Sequence, residues 1–361
     1  MKKKDKHGAN LFDLQRKYGF APEEIMDFSS NINPLGPSSL ALSHLKEELD
    51  KVSVYPDPDY VKLKKAIGTY AHCQEDSIVL GSGTTHLIAD YIRIIGPKRA
   101  LLNSPCYSEY QNELEKQGSM IYYYDLDYSK DFVIDVEEVI TYIRKHNIDL
   151  YVLTNPNNPT GTILTIEEIQ KILEETGVKM LIDETYIEFT DIEKYSCTTL
   201  AQSHPGLLVV RSTSKFFSTP GIRLGYGIIS HDEVKQEMNQ NFNLWSINIF
   251  ADILGQYMFY DKEYQNNVYE HIQREKDRMV KSLSSLKDIK VYPSYGNFVL
   301  CQILKDGVTA KELRETLLPH KMVIRDCVTF KNLDSSFFRF CILSTKANEK
   351  LLHHLLQIFN D

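Results

Sequence analysis

The chain has 361 residues, more than one compact core of ordinary size holds, so two lobes are expected. Apolar residues at 42% and charged residues at 25% fit a globular protein in water, and a net charge of −8 argues against general nucleic-acid binding, which needs a basic face. An anionic ligand must then be drawn by a local cluster, not by the field of the whole molecule.

Six cysteines, at 73, 106, 197, 301, 327 and 341, form no CxxC pair and no zinc-finger spacing. They predict reduced thiols and no metal site. Met1–Lys6 is basic, but no apolar signal core follows it. No apolar run nears the ~20 residues of a membrane helix. The cytoplasm is the expected location, with no membrane partner.

The first forty residues read as an arm. His7-Gly8-Ala9-Asn10 precedes Leu11, Leu14 and Tyr18 at helical spacing, and Ile25 through Pro37 is a structured turn region rich in Asn, Pro and Gly. A short helix is expected over 38–50. After the turn Tyr55-Pro56-Asp57-Pro58, Asp57 or Asp59 could cap a helix carrying Leu63, Ala66, Ile67 and Tyr70.

From about residue 78 the pattern becomes strand, loop, helix, repeated. Ile78-Val79-Leu80 leads into Gly81-Ser82-Gly83-Thr84-Thr85 and a helix through Ile94; Ala100-Leu101-Leu102 leads into Ser104-Pro105-Cys106-Tyr107 and a helix through Lys116. A strand at Met120–Tyr124 and a helix over 135–145 follow. Leu150–Leu153 leads into Asn155-Pro156-Asn157-Asn158-Pro159-Thr160-Gly161 and a helix over 165–176, capped by Thr165 with Glu168 three positions on. Lys179–Glu184 is the next strand, and Leu207–Val210 precedes a loop holding Lys215. This alternation argues for an α/β fold with a largely parallel sheet, on which ligands bind outside the carboxyl ends of the strands. The unusual loops all follow strands, so they should converge on one face. Beyond residue 232 a long helical stretch, 250–286, should connect to a smaller α+β lobe. That lobe would have strands near 289–293, 297–303, 321–325 and 337–343 and a closing helix at 346–358. The expected division is an arm over 1–45 packing with the small lobe, a large domain over 46–250, and a connecting helix with the small domain over 251–361.

A lysine in a loop is either solvated or held for chemistry. Around Lys215, the hydroxyls of Ser212 and Ser214 and the guanidinium of Arg223 are the groups that bind a phosphate. A lysine beside a phosphate cradle is what a pyridoxal-phosphate Schiff base requires. Four motifs occur in order: Asn157-Asn158-Pro159-Thr160-Gly161, Asp183-Glu184-Thr185-Tyr186, Ser212-x-Ser214-Lys215 and Arg223. In these the chain resembles, over nearly its whole length, the fold-type-I pyridoxal-phosphate enzymes of the class I/II aminotransferase superfamily. The resemblance implies the aspartate aminotransferase-like fold and roles for each position. Lys215 would condense with the cofactor and later move protons, and Asp183 would pair with the pyridine nitrogen. Asn158 and Tyr186 would hold the phenolic oxygen, and Tyr107 would stack on the ring. Gly83, Thr84 and Thr85, opening a helix, would join Ser212, Ser214 and Arg223 around the phosphate. Tyr55 matches a tyrosine that reaches the neighbouring subunit's cofactor, which implies a homodimer; taken alone it reads as a buried turn tyrosine.

Arg339 lies in the apolar run Phe337-Phe338-Arg339-Phe340, where a charge needs a partner. The resemblance assigns it to the substrate carboxylate. Arg325 lies fourteen residues earlier and could instead pair with Asp326. Two arginines aimed into one site suggest a substrate with two anionic groups, or one carrying a phosphate. Two groups within the superfamily fit, the histidinol-phosphate aminotransferases and the threonine-phosphate decarboxylases of cobalamin biosynthesis. The second tend to begin with a His-Gly-Gly-Asn arm and an Asp-Phe-Ser-x-Asn-Ile-Asn-Pro-Leu-Gly-Pro segment. Here His7-Gly8-Ala9-Asn10 and Asp27 through Pro37 stand almost in that form, with Ala9 in place of the second glycine. If His7, Asn31 and the arginines hold a side-chain phosphate, the carboxylate can swing out of the ring plane and leave. If Arg339 holds the carboxylate in that plane, transamination follows. The decarboxylase reading is the expectation and the aminotransferase its alternative. A catalytically idle binding protein on this fold is disfavoured, since Lys215 is kept and there is no added basic arm. A nicotinamide or flavin enzyme is disfavoured too, since Gly81-Ser82-Gly83 lacks the third glycine of the dinucleotide fingerprint.

Overall fold

The computed structural model of the chain describes residues 10–360. Its strands, in chain order, begin with β1 (Met26–Asp27), β2 (Ile78–Gly81), β3 (Arg99–Ser104) and β4 (Met120–Asp125). Then come β5 (Leu150–Thr154), β6 (Lys179–Asp183), β7 (Leu207–Ser212) and β8 (Gly225–Ile229). The last are β9 (Ile289–Val291), β10 (Phe298–Ile303), β11 (Met322–Val323), β12 (Arg325–Asp326) and β13 (Phe337–Cys341).

Seven strands form one sheet in the order β2-β8-β7-β6-β5-β3-β4. All neighbours are parallel except those of β8, which runs against both β2 and β7. The inner strands are apolar on both faces because helices cover both. Val152, Leu181 and Leu208 point to the side packed by Leu87, Ile88 and Tyr91 of the helix Thr84–Ile95. Their neighbours Leu153, Ile182 and Val209 point to the other side, where Ile169, Ile172 and Leu173 of the helix Ile166–Thr176 pack. Each such aliphatic side chain contributes about 1.5–3 kcal/mol by leaving water. The capping box of Ile166–Thr176 forms as its sequence predicts: Glu168 N donates to Thr165 Oγ1 and Thr165 N to Glu168 Oε2.

A second sheet, in the order β12-β13-β10-β9, is antiparallel throughout. The predicted strand at 321–325 is interrupted at Ile324. Its first part, β11, pairs in parallel with β1, and its second, β12, pairs with β13. The predicted helix over 250–286 is also two helices, Ile249–Met258 and Lys262–Leu283. Asp261 caps the second, accepting from Tyr264 N at 3.1 Å, a stop-and-restart hidden inside a continuous apolar pattern. The helix expected over 38–50 is Ser39–Glu47, followed by a 3₁₀ turn, Leu49–Ser53. Of the two candidate caps for Val61–Ala71, Asp57 is the one that accepts from Val61 N, at 3.1 Å. Among the described residues no helix is long and apolar enough to cross a membrane.

The segment between β1 and residue 33 runs along the seam of the two sheets. Cys341 N donates to Phe28 O at 2.8 Å, Asn297 Nδ2 to Asn31 O at 3.0 Å, and Asn33 N to Lys215 O at 3.0 Å. It is therefore stitched to the small sheet on one side and to the lysine loop on the other.

Candidate active site

Six strands of the large sheet point one way, so the loops after β2, β3, β5, β6 and β7 open on a common edge, and β8 starts there. Residues from each line one cavity of about 330 Å³, the size of a small-ligand site. Thr84 and Thr85 follow β2, Tyr107 follows β3, and Asn158 follows β5. Asp183 ends β6, Ser212 ends β7, and Lys215 and Arg223 lie between β7 and β8. Asn31 enters from the seam, and Arg325 and Arg339 from the small sheet. The structure thus gathers most of the residues singled out in the sequence. Gly83 stands just behind the wall. His7 lies outside the described residues. Tyr55 is not at this cavity: it is 74% exposed, with its ring stacked on Trp245 at 4.2 Å, so the buried turn tyrosine is not what the structure shows.

Lys215 Nζ donates to Ser30 O at 2.6 Å. Loss of water, with the positive charge of Arg339 second, pushes its amine down to about 8. Asp183 is buried at the strand end, and burial pushes its carboxyl up. Three donors oppose that shift. Thr185 supplies its N–H at 2.9 Å and its hydroxyl at 2.5 Å to Oδ1, and Tyr110 its hydroxyl at 2.8 Å to Oδ2. No lysine, arginine or histidine forms an ion pair with Asp183 among the described residues.

At the other end of the cavity the backbone is built for close approach. Gly83 has φ +86°, and a Cβ there would lie 2.5 Å from Arg223 Nη2. A Cβ on Gly225 would meet Gly83 C and Thr84 N at 2.7 Å. Both positions therefore need glycine. Thr84 and Thr85 begin a twelve-residue helix whose positive end faces the cavity, beside the Ser212 and Ser214 hydroxyls and the Arg223 guanidinium. An anionic oxygen cluster fits here, and a cationic ring edge fits at Asp183. A pyridine phosphate carries both, and Lys215 lines the same cavity.

The opposite wall holds the two arginines. Arg325 and Arg339 are register partners across β12 and β13. Arg339 is buried and finds the partners its setting demands: Asn158 Oδ1, Ser29 O at 2.7 Å, and the Phe298 ring 5.2 Å beneath its guanidinium. Its Nε has no partner among the described residues. Arg325 donates to Thr329 Oγ1 at 2.9 Å and lies 5.2 Å over the Phe330 ring. Tyr186 OH accepts from Asn31 Nδ2 at 3.1 Å, while Asn31 Oδ1 is buried without a partner among the described residues.

Several lining groups escaped the sequence reading. Tyr110, Thr154 and Thr185 surround Asp183, Phe330 walls the mouth, and the carbonyls of Ser29 and Ser30 act through backbone, where side-chain type gives no hint. Tyr110 could have been found: it stands one helical turn from Tyr107, on the same side of the helix start.

Comparison with known proteins adds to this geometry. A family model described as "Aminotransferase class I and II" matches residues 23–355. A protein of Caldanaerobacter subterraneus subsp. tengcongensis, provisionally named threonine-phosphate decarboxylase, is 36% identical over 98% of this chain and 94% of its own. The threonine-phosphate decarboxylase of Salmonella typhimurium is 29% identical over 98% of this chain and 96% of its own. Among solved structures, the histidinol-phosphate aminotransferase of Clostridium acetobutylicum superposes with a TM-score of 0.85 at 34% identity, covering 92% of this chain and 98% of that one.

Proposed function

The chain belongs to the class I and II aminotransferase family, and from that premise we propose that it is a pyridoxal-5′-phosphate enzyme that decarboxylates a phosphorylated amino acid, threonine phosphate. One observation carries the choice of substrate class: Arg325 and Arg339 stand side by side in register on the wall of the cavity that holds Lys215 and Asp183. Two fixed cations there match a ligand with two anionic groups. The relatives' names point the same way.

Pyridoxal phosphate, when bound, supplies an electron sink for a bond breaking at the substrate α-carbon. The chain supplies the rest. Thr84, Thr85, Ser212, Ser214 and Arg223, with Gly83 clearing space, hold the phosphate. Tyr107 covers the ring, Asp183 keeps the ring nitrogen protonated, and Asn158 and Tyr186 hold the phenolic oxygen. Lys215 would hold the aldehyde, and its amine, pushed down to about 8, is the group placed to carry a proton at the substrate α-carbon. Arg325 and Arg339, with Asn31 and His7, would take the substrate phosphate, which leaves the carboxylate free to swing out of the ring plane. The division into an arm (1–45), a large domain (46–250) and a connecting helix with a small domain (251–361) belongs to the same reading, as does a place in the cytoplasm. So does a homodimer with Tyr55 acting in the neighbouring site. Exposed Val52, Val54, Tyr55 and Leu244 support the dimer, since single chains seldom leave such groups together in water.

The test is an assay of purified protein with pyridoxal phosphate and threonine phosphate, without any keto acid. Release of carbon dioxide is expected. Strict dependence on 2-oxoglutarate, with glutamate formed and histidinol phosphate consumed, would replace this reading with the aminotransferase one, which the similarity to the Clostridium acetobutylicum structure favours.

A further inference from the structure

We propose that Tyr110 is a positioning residue that fixes which oxygen of Asp183 meets the cofactor's ring nitrogen. The inference rests on the cofactor assignment made under Proposed function and concerns a side chain that assignment does not use. A carboxylate offers about four acceptor positions, two on each oxygen. On Asp183 Oδ1 both are taken, by the Thr185 N–H and hydroxyl. On Oδ2 one is taken, by the Tyr110 hydroxyl. One position is left, and it is on Oδ2. The ring N–H must therefore share its oxygen with Tyr110.

The phenol is itself held. Its oxygen lies 2.8 Å from Thr154 Oγ1, and with its proton committed to Asp183 it accepts from that hydroxyl. Thr154 and Asp183 are register partners on β5 and β6. The chain of donors runs Thr154, Tyr110, Asp183, and each bond polarises the next. Tyr110 is buried, so no water can replace the hydroxyl cheaply. The same ring packs edge-on against Tyr107, with centroids 5.4 Å apart at 82°. One residue thus buttresses both the group proposed to cover the cofactor and the group proposed to face its nitrogen.

Tyr110→Phe separates the two roles, because it keeps the ring contact and removes only the hydroxyl. Apoenzyme is titrated with pyridoxal phosphate, and the pH midpoint of the bound cofactor's visible band is measured. Loss of one hydrogen bond to a charged group should weaken binding about tenfold. With Oδ2 less satisfied, Asp183 draws the shared proton closer, the ring withdraws less from the Lys215 nitrogen, and the midpoint should rise by about half a unit. The charged and titratable groups facing Lys215, namely Arg339, Cys341, Asp27 and Arg223, are untouched by the change, so a shift reports on Asp183. Thr154→Val should move both readings the same way but less. A Tyr110→Phe protein with parental affinity and midpoint would overturn the proposal. A parent chain that binds no pyridoxal phosphate would overturn the cofactor assignment instead.

Discussion

Lys215 is a weak base for a lysine, and the cause is where its amine sits. Its ammonium form has lost water, touches one carbonyl at 2.6 Å, and stands near Arg339. At pH 7 a lysine of pKa about 8 is neutral in roughly one molecule in ten, against a few in ten thousand for an ordinary one. Only the neutral amine can attack an aldehyde. The uptake of pyridoxal phosphate by apoenzyme should therefore quicken with pH, about tenfold per unit below 8, and level off above it. Rapid-mixing absorbance between pH 6 and 10 measures this. A profile still climbing toward pH 10 would show that Lys215 titrates as a solvated lysine does.

At the scale of elements, β6 and β7 carry different chemistry to their two faces. Asp183 and Ser212 face the cavity; Glu184 and Arg211 face away and form a buried pair at 2.9 Å. Ser196 and the Cys197 N–H complete that pair. Glu188, in the turn Ile187–Phe189 after β6, is buried beside it, and its Oε2 has no partner among the described residues. Burial pushes its carboxyl from 4.5 to about 7, despite Arg211. Between those values the unfolded chain has lost a proton that the folded chain keeps, so stability falls as pH rises through the window. That single group accounts for about 3 kcal/mol across it. Glu188→Gln should make the fall shallower by that amount, and urea unfolding at pH 4.5 and 7 checks it; an equally steep fall in the variant would locate the proton elsewhere. The loops at these strand ends were legible in the sequence because each follows an apolar run, whereas the roles expected of Lys215, Asp183 and Asn158 came from the resemblance of their motifs. The Thr165 and Glu168 capping box was legible because it is local. Tyr110 reaching Asp183 depends on two elements meeting in space. The splitting of 321–325 depends on which partner each half finds. Neither is written in spacing.

Across the whole molecule, the seven- and four-stranded sheets share one hydrophobic core, and at the cavity a backbone segment joins them as well. Residues 27–33 give carbonyls to Arg339, Asn297 and Lys215 and so fix the small sheet against the lysine loop. Within one chain this closes the cavity without Tyr55, whose ring lies outside on Trp245. If Tyr55 serves a site, the site belongs to a second copy. That has a quantitative consequence. Mix Tyr55→Ala protein with Lys215→Ala protein and let subunits exchange. A mixed dimer then has one site with Lys215 from the first chain and Tyr55 from the second, both intact, and one site lacking both. Random exchange makes half the dimers mixed, each with one of two sites restored, so activity should return to about a quarter of the parent's. A tyrosine acting within its own chain leaves every site in every dimer with a lesion, and mixing then restores nothing. Sedimentation of the parent as a single chain would exclude the shared site before any mixing is done.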